Sequence, residues 1–132
     1  MTFEQSLQDR WAADAALAAL IAPDRVFTAK SAEIAPPRAV IAVVAAQPFR
    51  IASGPVRWEE RTLRITVEDY DYGRMTTVAD RLMGVFDRAA WEWGDASAVA
   101  RMACLRRGPI VARSQRLWRQ VSEWSVLLRI AN

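Results

Sequence analysis

The sequence predicts an α+β fold, an antiparallel sheet with two helices packed on one face, in the order α-β-β-β-α-β-β. Three patterns carry that expectation. Apolar residues recur at helical period in two stretches, one at the start of the chain and one in its middle. Leu63, Ile65 and Val67 alternate with Arg64, Thr66 and Glu68, the mark of a strand with one apolar and one polar face. The continuous apolar run 39–46, with Val40, Ile41, Val43 and Val44, is short and β-branched, as a buried strand would be.

The elements follow in order. Thr2 and Gln5 stand at capping-box spacing. Phe3, Leu7, Trp11, Ala15, Leu17 and Ala18 continue as a stripe until Pro23-Asp24, which places one helix over about 2–21. A short strand at 25–28 and a loop at 30–37, closed by Pro36-Pro37, lead into the apolar strand. The segment 47–56 contains Pro48, Gly54 and Pro55 and reads as a hairpin arm. Its Phe49 and Ile51 are apolar where a loop is usually polar, so the arm folds back on its own core or docks on a neighbour.

The next strand spans about 57–70, and 69–73 is a turn with Asp71 as N-cap of the second helix. That helix is expected over about 74–92. Its apolar stripe is Met75, Val78, Ala79, Leu82, Val85, Phe86 and Ala89, and Gly94 is its C-cap candidate. A strand at 99–105, a connection at 106–113 containing Gly108-Pro109, and a long strand at 116–130 complete the chain. On the last strand Trp124, Val126, Leu128 and Ile130 share one face, and Arg119, Glu123, Ser125 and Arg129 the other. Strands adjacent in sequence are expected to pair as antiparallel hairpins.

Composition narrows the function. With 52% hydrophobic and 25% charged residues the 132-residue chain reads as a single globular domain over 1–132, not as a disordered segment. No apolar run approaches the roughly 20 residues of a membrane span. Glu4 and Asp9 stand where a signal peptide would carry basic residues, so synthesis in the cytoplasm is expected. There is no histidine, which removes the commonest general base and metal ligand. Cys104 is the sole cysteine, flanked closely by Met102 and Leu105, and reads as a small buried hydrophobe. Six tryptophans are many for this length, and some are expected at interfaces.

The usual catalytic constellations are missing from the sequence. Glu59 and Glu60 are adjacent on a strand and point to opposite faces, so they cannot act on one atom. Glu68, Asp69 and Asp71 are the densest carboxylate group, at a strand-to-helix turn where capping explains them. Neither a Gly-rich phosphate loop nor a nucleophile elbow is present. No catalytic, cofactor-binding or metal-binding residue is therefore assigned, and no enzyme activity is expected.

Charge is distributed unevenly. Residues 96–122 contain Arg101, Arg106, Arg107, Arg113, Arg116 and Arg119 and no acid, whereas 1–95 lean acidic. Such asymmetry marks an acidic-partner or nucleic-acid surface, or an Arg-lined strand pair that is solvated or paired at a subunit contact. These six arginines, with Phe49 and Ile51, are the candidate interface residues. Trp118 lies in register with the apolar face of the last strand and is expected in the core or at a subunit contact.

Three stretches carry a resemblance. They are DAALAALIAPDRVF at 14–27, LRITVEDYDYGRMTTVADRLMGVFD at 63–87 and LWRQVSEWSVLLR at 117–129. With Pro36-Pro37 and the apolar strand, this layout resembles the small phage tail completion, or tail terminator, proteins of tailed phages, prophages and gene transfer agents. The 47–56 arm and the Trp91/Trp93 pair do not align with that pattern. The resemblance implies a structural virion protein made in the host bacterial cytoplasm. It implies a homo-oligomeric ring, commonly six-fold, at the head-proximal end of the tail tube. Such a ring ends tube polymerisation, joins the tail to the head connector and lets DNA pass through its lumen without sequence readout. Its partners would be further copies of itself, the tail tube protein and the head-tail connector or neck protein, with no membrane. The same features leave a head-closure or neck protein, or a small basic nucleic-acid-binding module, as alternative readings.

Overall fold

The computed structural model describes residues 1–28, 34–48 and 54–131. The elements are α1 (Phe3–Ala13), α2 (Ala15–Leu20), a 3-10 turn (Pro23–Arg25), β1 (Val26–Thr28), β2 (Arg38–Pro48), β3 (Val56–Asp69), α3 (Tyr72–Phe86), β4 (Ala89–Gly94), β5 (Ser97–Arg107), β6 (Val111–Ser114) and β7 (Leu117–Ala131). The strands form one seven-stranded sheet in the order β1-β2-β3-β7-β5-β4, with β6 also on β7. The fold is α+β, as the sequence predicts.

The capping box at Thr2 forms: Gln5 N donates to Thr2 Oγ1 at 3.1 Å and Thr2 N to Gln5 Oε1 at 2.9 Å. The expected single first helix, however, is two. Asp14 is extended, ends α1 and caps α2 by accepting from Leu17 N at 2.9 Å. Arg81 of α3 grips the same carboxylate, with Nε donating at 2.8 Å. The break turns the chain so that the Ile21 carbonyl accepts from Trp11 Nε1 at 2.9 Å.

Asp71 caps α3 as expected, accepting from Arg74 N at 3.1 Å. The helix stops at Phe86 and not near residue 92. Arg88 takes a left-handed φ of 61° and reverses the chain into β4. In β4 Trp91 and Trp93 are half-buried against the core and Glu92 is exposed, a period-two pattern. Gly94 therefore ends a strand and caps no helix. The expected connection at 106–113 is largely strand too, because β5 reaches Arg107 and β6 occupies Val111–Ser114.

The sheet is mixed, not wholly antiparallel. β1 runs parallel to β2, with Val26 opposite Ala39 and Thr28 opposite Ile41. The remaining pairs are antiparallel. β7 spans the sheet's full length beside β3, from Trp118 opposite Asp69 to Ala131 opposite Val56. β5 and β6 share the other side of β7 and are separated by a bend at Gly108. Gly108 N donates to Val121 O at 3.0 Å, and a Cβ there would lie 2.5 Å from that oxygen. Only glycine fits so close to the neighbouring backbone.

Helices α1 and α3 cover one face. Leu63, Ile65 and Val67 of β3, Val99 and Met102 of β5, and Trp124, Val126 and Leu128 of β7 meet Phe3, Leu7, Trp11, Val78, Leu82 and Phe86 there. Phe86 lies between two tryptophans, with ring centroids 6.4 Å from both Trp11 and Trp124. Trp124 Nε1 donates to Ser122 Oγ at 2.9 Å, so the indole is buried with its donor satisfied.

Candidate interaction face

The described residues place no helix on the other face of the sheet. It is built from the alternate residues of the same strands, and their register sorts charge into rows. Arg64 of β3 stands opposite Glu123 of β7, which stands opposite Arg106 of β5. Glu123 accepts from Arg106 at 3.2 Å and lies 3.6 Å from Arg64. Further along, Arg38 of β2, Glu68 of β3 and Arg119 of β7 are successive cross-strand neighbours, and Val111 of β6 follows. Thr66 and Val121 lie between these rows, and Thr62, Ser125 and Ala103 form a smaller uncharged row on the far side of the first.

Glu68 is the electrostatic centre of this face. It is buried, and one carboxylate oxygen accepts from Arg38 Nε at 3.1 Å and Nη2 at 2.9 Å, while Arg113 binds the other. Burial pushes its carboxyl up, but the hydrogen bonds and charges of Arg113 and Arg38 outweigh that and hold it below the ordinary value. Arg119, the direct neighbour of Glu68 on β7, is left out of the pair. Its Nε is buried without a hydrogen-bond partner among the described residues. Asp69, one residue along, points the opposite way and is wholly buried, binding Arg74 at 2.5 and 2.7 Å. Glu68 and Asp69 thus serve two faces, and the carboxylates at this turn do not converge on one point.

A search against protein-family models finds no match for this chain. No curated protein matches it by sequence either. Its fold, in contrast, is similar to that of a chain in the structure of the virion of a native gene transfer agent (GTA) particle. The TM-score is 0.71 at 13% identity, over 97% of this chain and 95% of that one. At this identity the likeness is one of fold.

The six arginines separate into two kinds. Arg106, Arg107 and Arg113 are paired within the chain, with Glu123, Asp80 and Glu68. Arg107 reaches α3 on the helix side, so it does not belong to the open face. The side chains of Arg101, Arg116 and Arg119 have no ion-pair or hydrogen-bond partner among the described residues. Arg116 sits in the β6–β7 turn with φ 72°. Phe49 and Ile51 lie outside the described residues.

Arg38, Arg64, Glu68 and Glu123 complete the face, yet the sequence reading did not single them out as site residues. Their polar positions on alternating strands were visible, but which of them meet depends on cross-strand register. Trp118 is half-buried, packs on the core and meets Tyr72 edge-on at 4.9 Å. Trp11 and Trp124 are core residues, not interface residues. Cys104 is half-buried rather than buried. Burial and the Asp87 charge raise its thiol pKa, which keeps it protonated and a poor nucleophile.

Proposed function

We propose that this protein is a structural component of a phage-like particle. In this reading it forms a ring at the head-proximal end of the tail tube, ends tube polymerisation and joins the tail to the head connector. The observation that carries the reading is the fold likeness, end to end in both chains, to a chain of a gene transfer agent virion. The surface chemistry supports it. A ring needs two different, complementary patches on each subunit. The open sheet face carries the arginine rows, whereas Asp9, Asp24 and Asp95 lie elsewhere on the chain, exposed and without an ion-pair partner among the described residues. A second support is β2: among the described residues it pairs with β1 only over Ala39–Ile41, and its farther half is uncharged, with Val43 and Val44 exposed. Edges of that kind are ordinarily covered by another strand or chain.

The test is assembly. Size-exclusion chromatography with light scattering, followed by negative-stain imaging with and without tail tubes, should show a ring of about six copies alone or on tube ends. A chain that remains monomeric and never binds tube ends would sink the reading.

A further inference from the structure

We propose that the groove lined by Arg106, Gly108, Pro109, Val111, Arg119 and Val121 receives a carboxylate side chain from a second copy of this chain. The groove encloses about 270 Å³, room for one side chain. It lies where β5 bends into β6, beside the Arg38–Glu68–Arg113 cluster.

Charge balance points to an anion. Arg38 and Arg113 already occupy both oxygens of Glu68, and Arg119, its cross-strand neighbour on β7, makes no ion pair with it. Arg119 is left with a buried Nε that has no partner. That Nε is sealed from solvent, so an incoming oxyanion meets the rest of the guanidinium from the groove that Arg119 lines, where a carboxylate can bind in the bidentate geometry arginine prefers. Arg106 adds a second positive charge at the rim, since Glu123 is shared between it and Arg64.

The floor chooses between anions. Pro109, Val111 and Val121 offer apolar surface, which suits the methylene of an Asp or Glu side chain. A phosphodiester gains nothing from it. The chain itself supplies suitable groups. Asp9, Asp24 and Asp95 are exposed and have no ion-pair partner among the described residues, Arg119 of the same chain included. Donor and acceptor are different patches, so the contact is head-to-tail and propagates to a ring or an open string. The choice of a second copy rests on the ring reading; the oxyanion chemistry does not.

The test uses the full chain. Arg119→Met keeps an unbranched apolar stem and removes the guanidinium with its charge, and Arg106→Gln weakens the rim. Self-association is followed by sedimentation at low and high salt, and occupancy of tail-tube ends by imaging. Circular dichroism checks folding, and Arg119→Lys stands in should the Met variant unfold. The proposal expects wild-type association that weakens with salt, at least a tenfold weaker Kd for Arg119→Met, and a smaller loss for Arg106→Gln and Arg119→Lys. Mixing Arg119→Met with a chain carrying Asp9→Asn, Asp24→Asn and Asp95→Asn should restore one contact per pair and stop at dimers. Equal association, or equal tube occupancy, of Arg119→Met and wild type overturns the groove and leaves the ring standing. A wild-type chain that associates neither with itself nor with tubes overturns both. Loss of DNA binding in Arg119→Met with association unchanged transfers the site to phosphate and overturns the carboxylate.

Discussion

Leu127 and Leu128 are neighbours on β7 and chemically identical, yet they belong to different surfaces. Leu128 is fully buried beneath the helices, whereas Leu127 is half-buried on the open face, between Glu60 and Arg101 in the cross-strand row. The same division runs through every long strand. One face is closed by α1 and α3 and its polar groups are satisfied internally. The other carries arginines in excess of the carboxylates they bind. The difference teaches that stability and recognition are assigned to alternate residues of the same strands, so neighbouring substitutions should have unlike consequences.

The sharpest way to break that contrast is to truncate both leucines. Leu128→Ala should cost about 2–5 kcal/mol, the range for a fully buried large-to-small change, and Leu127→Ala about 1 kcal/mol or less. Urea unfolding of the two variants measures it. Equal losses would mean that the open face is covered in the isolated chain.

A second contrast concerns backbone approach at the bend. Gly108→Ala forces a Cβ to 2.5 Å from Val121 O, where the obstacle is backbone, and should cost about 1–3 kcal/mol. Gly94 meets nothing within 4 Å, so Gly94→Ala should be nearly silent. Thermal unfolding separates the two.

The third contrast compares the two acids of the open face. Glu68→Gln removes the buried charge that Arg38 and Arg113 both bind and should cost about 1–3 kcal/mol. Glu123 is more exposed and its contacts are longer, so Glu123→Gln should cost less than about 1 kcal/mol.

The smallest effect is one of pH. Glu68 and Asp14 both titrate lower in the folded chain than unfolded, Asp14 at about 2 through its hydrogen bonds from Arg81 and Leu17. A depressed folded pKa contributes stability that is complete above the unfolded value and is lost as pH falls through the folded one. For Asp14 that window runs from about 3.8 down to about 2. Unfolding free energy should therefore fall from pH 5 to pH 2, with a shallower slope in Asp14→Asn and in Glu68→Gln. Unchanged slopes would show that the two carboxylates are not held by these arginines in solution.

Much of the local structure was legible. The Thr2 capping box, the Asp71 cap and the apolar stripe of α3 lie within a few residues of the bonds they make. The break at Asp14 was not legible, because half of what holds it is Arg81, 67 positions away. The segment around Trp91 was misread as the end of a helix. Ala89-Ala90 continue the helical pattern, and the reversal at Arg88 requires a left-handed conformation that no glycine advertises. The parallel pairing of β1 was hidden because three residues carry no register signal of their own. For the candidate face, the clustering of six arginines between 96 and 122 was plain, but their fates were not. Arg107 turned to α3, Arg113 to Glu68, and Arg119 was left with an unpaired donor.

The sequence by itself determined the α+β class, the alternation that makes one sheet face apolar, the caps, the lack of histidine and the concentration of arginine near the last strands. These are properties of composition and of spacing within one element. Only the tertiary structure decided which guanidiniums are neutralised and which remain free. A strand's partner is set by register between segments as far apart in sequence as Val56 and Ala131, and a shift of one position would turn every one of these side chains to the opposite face.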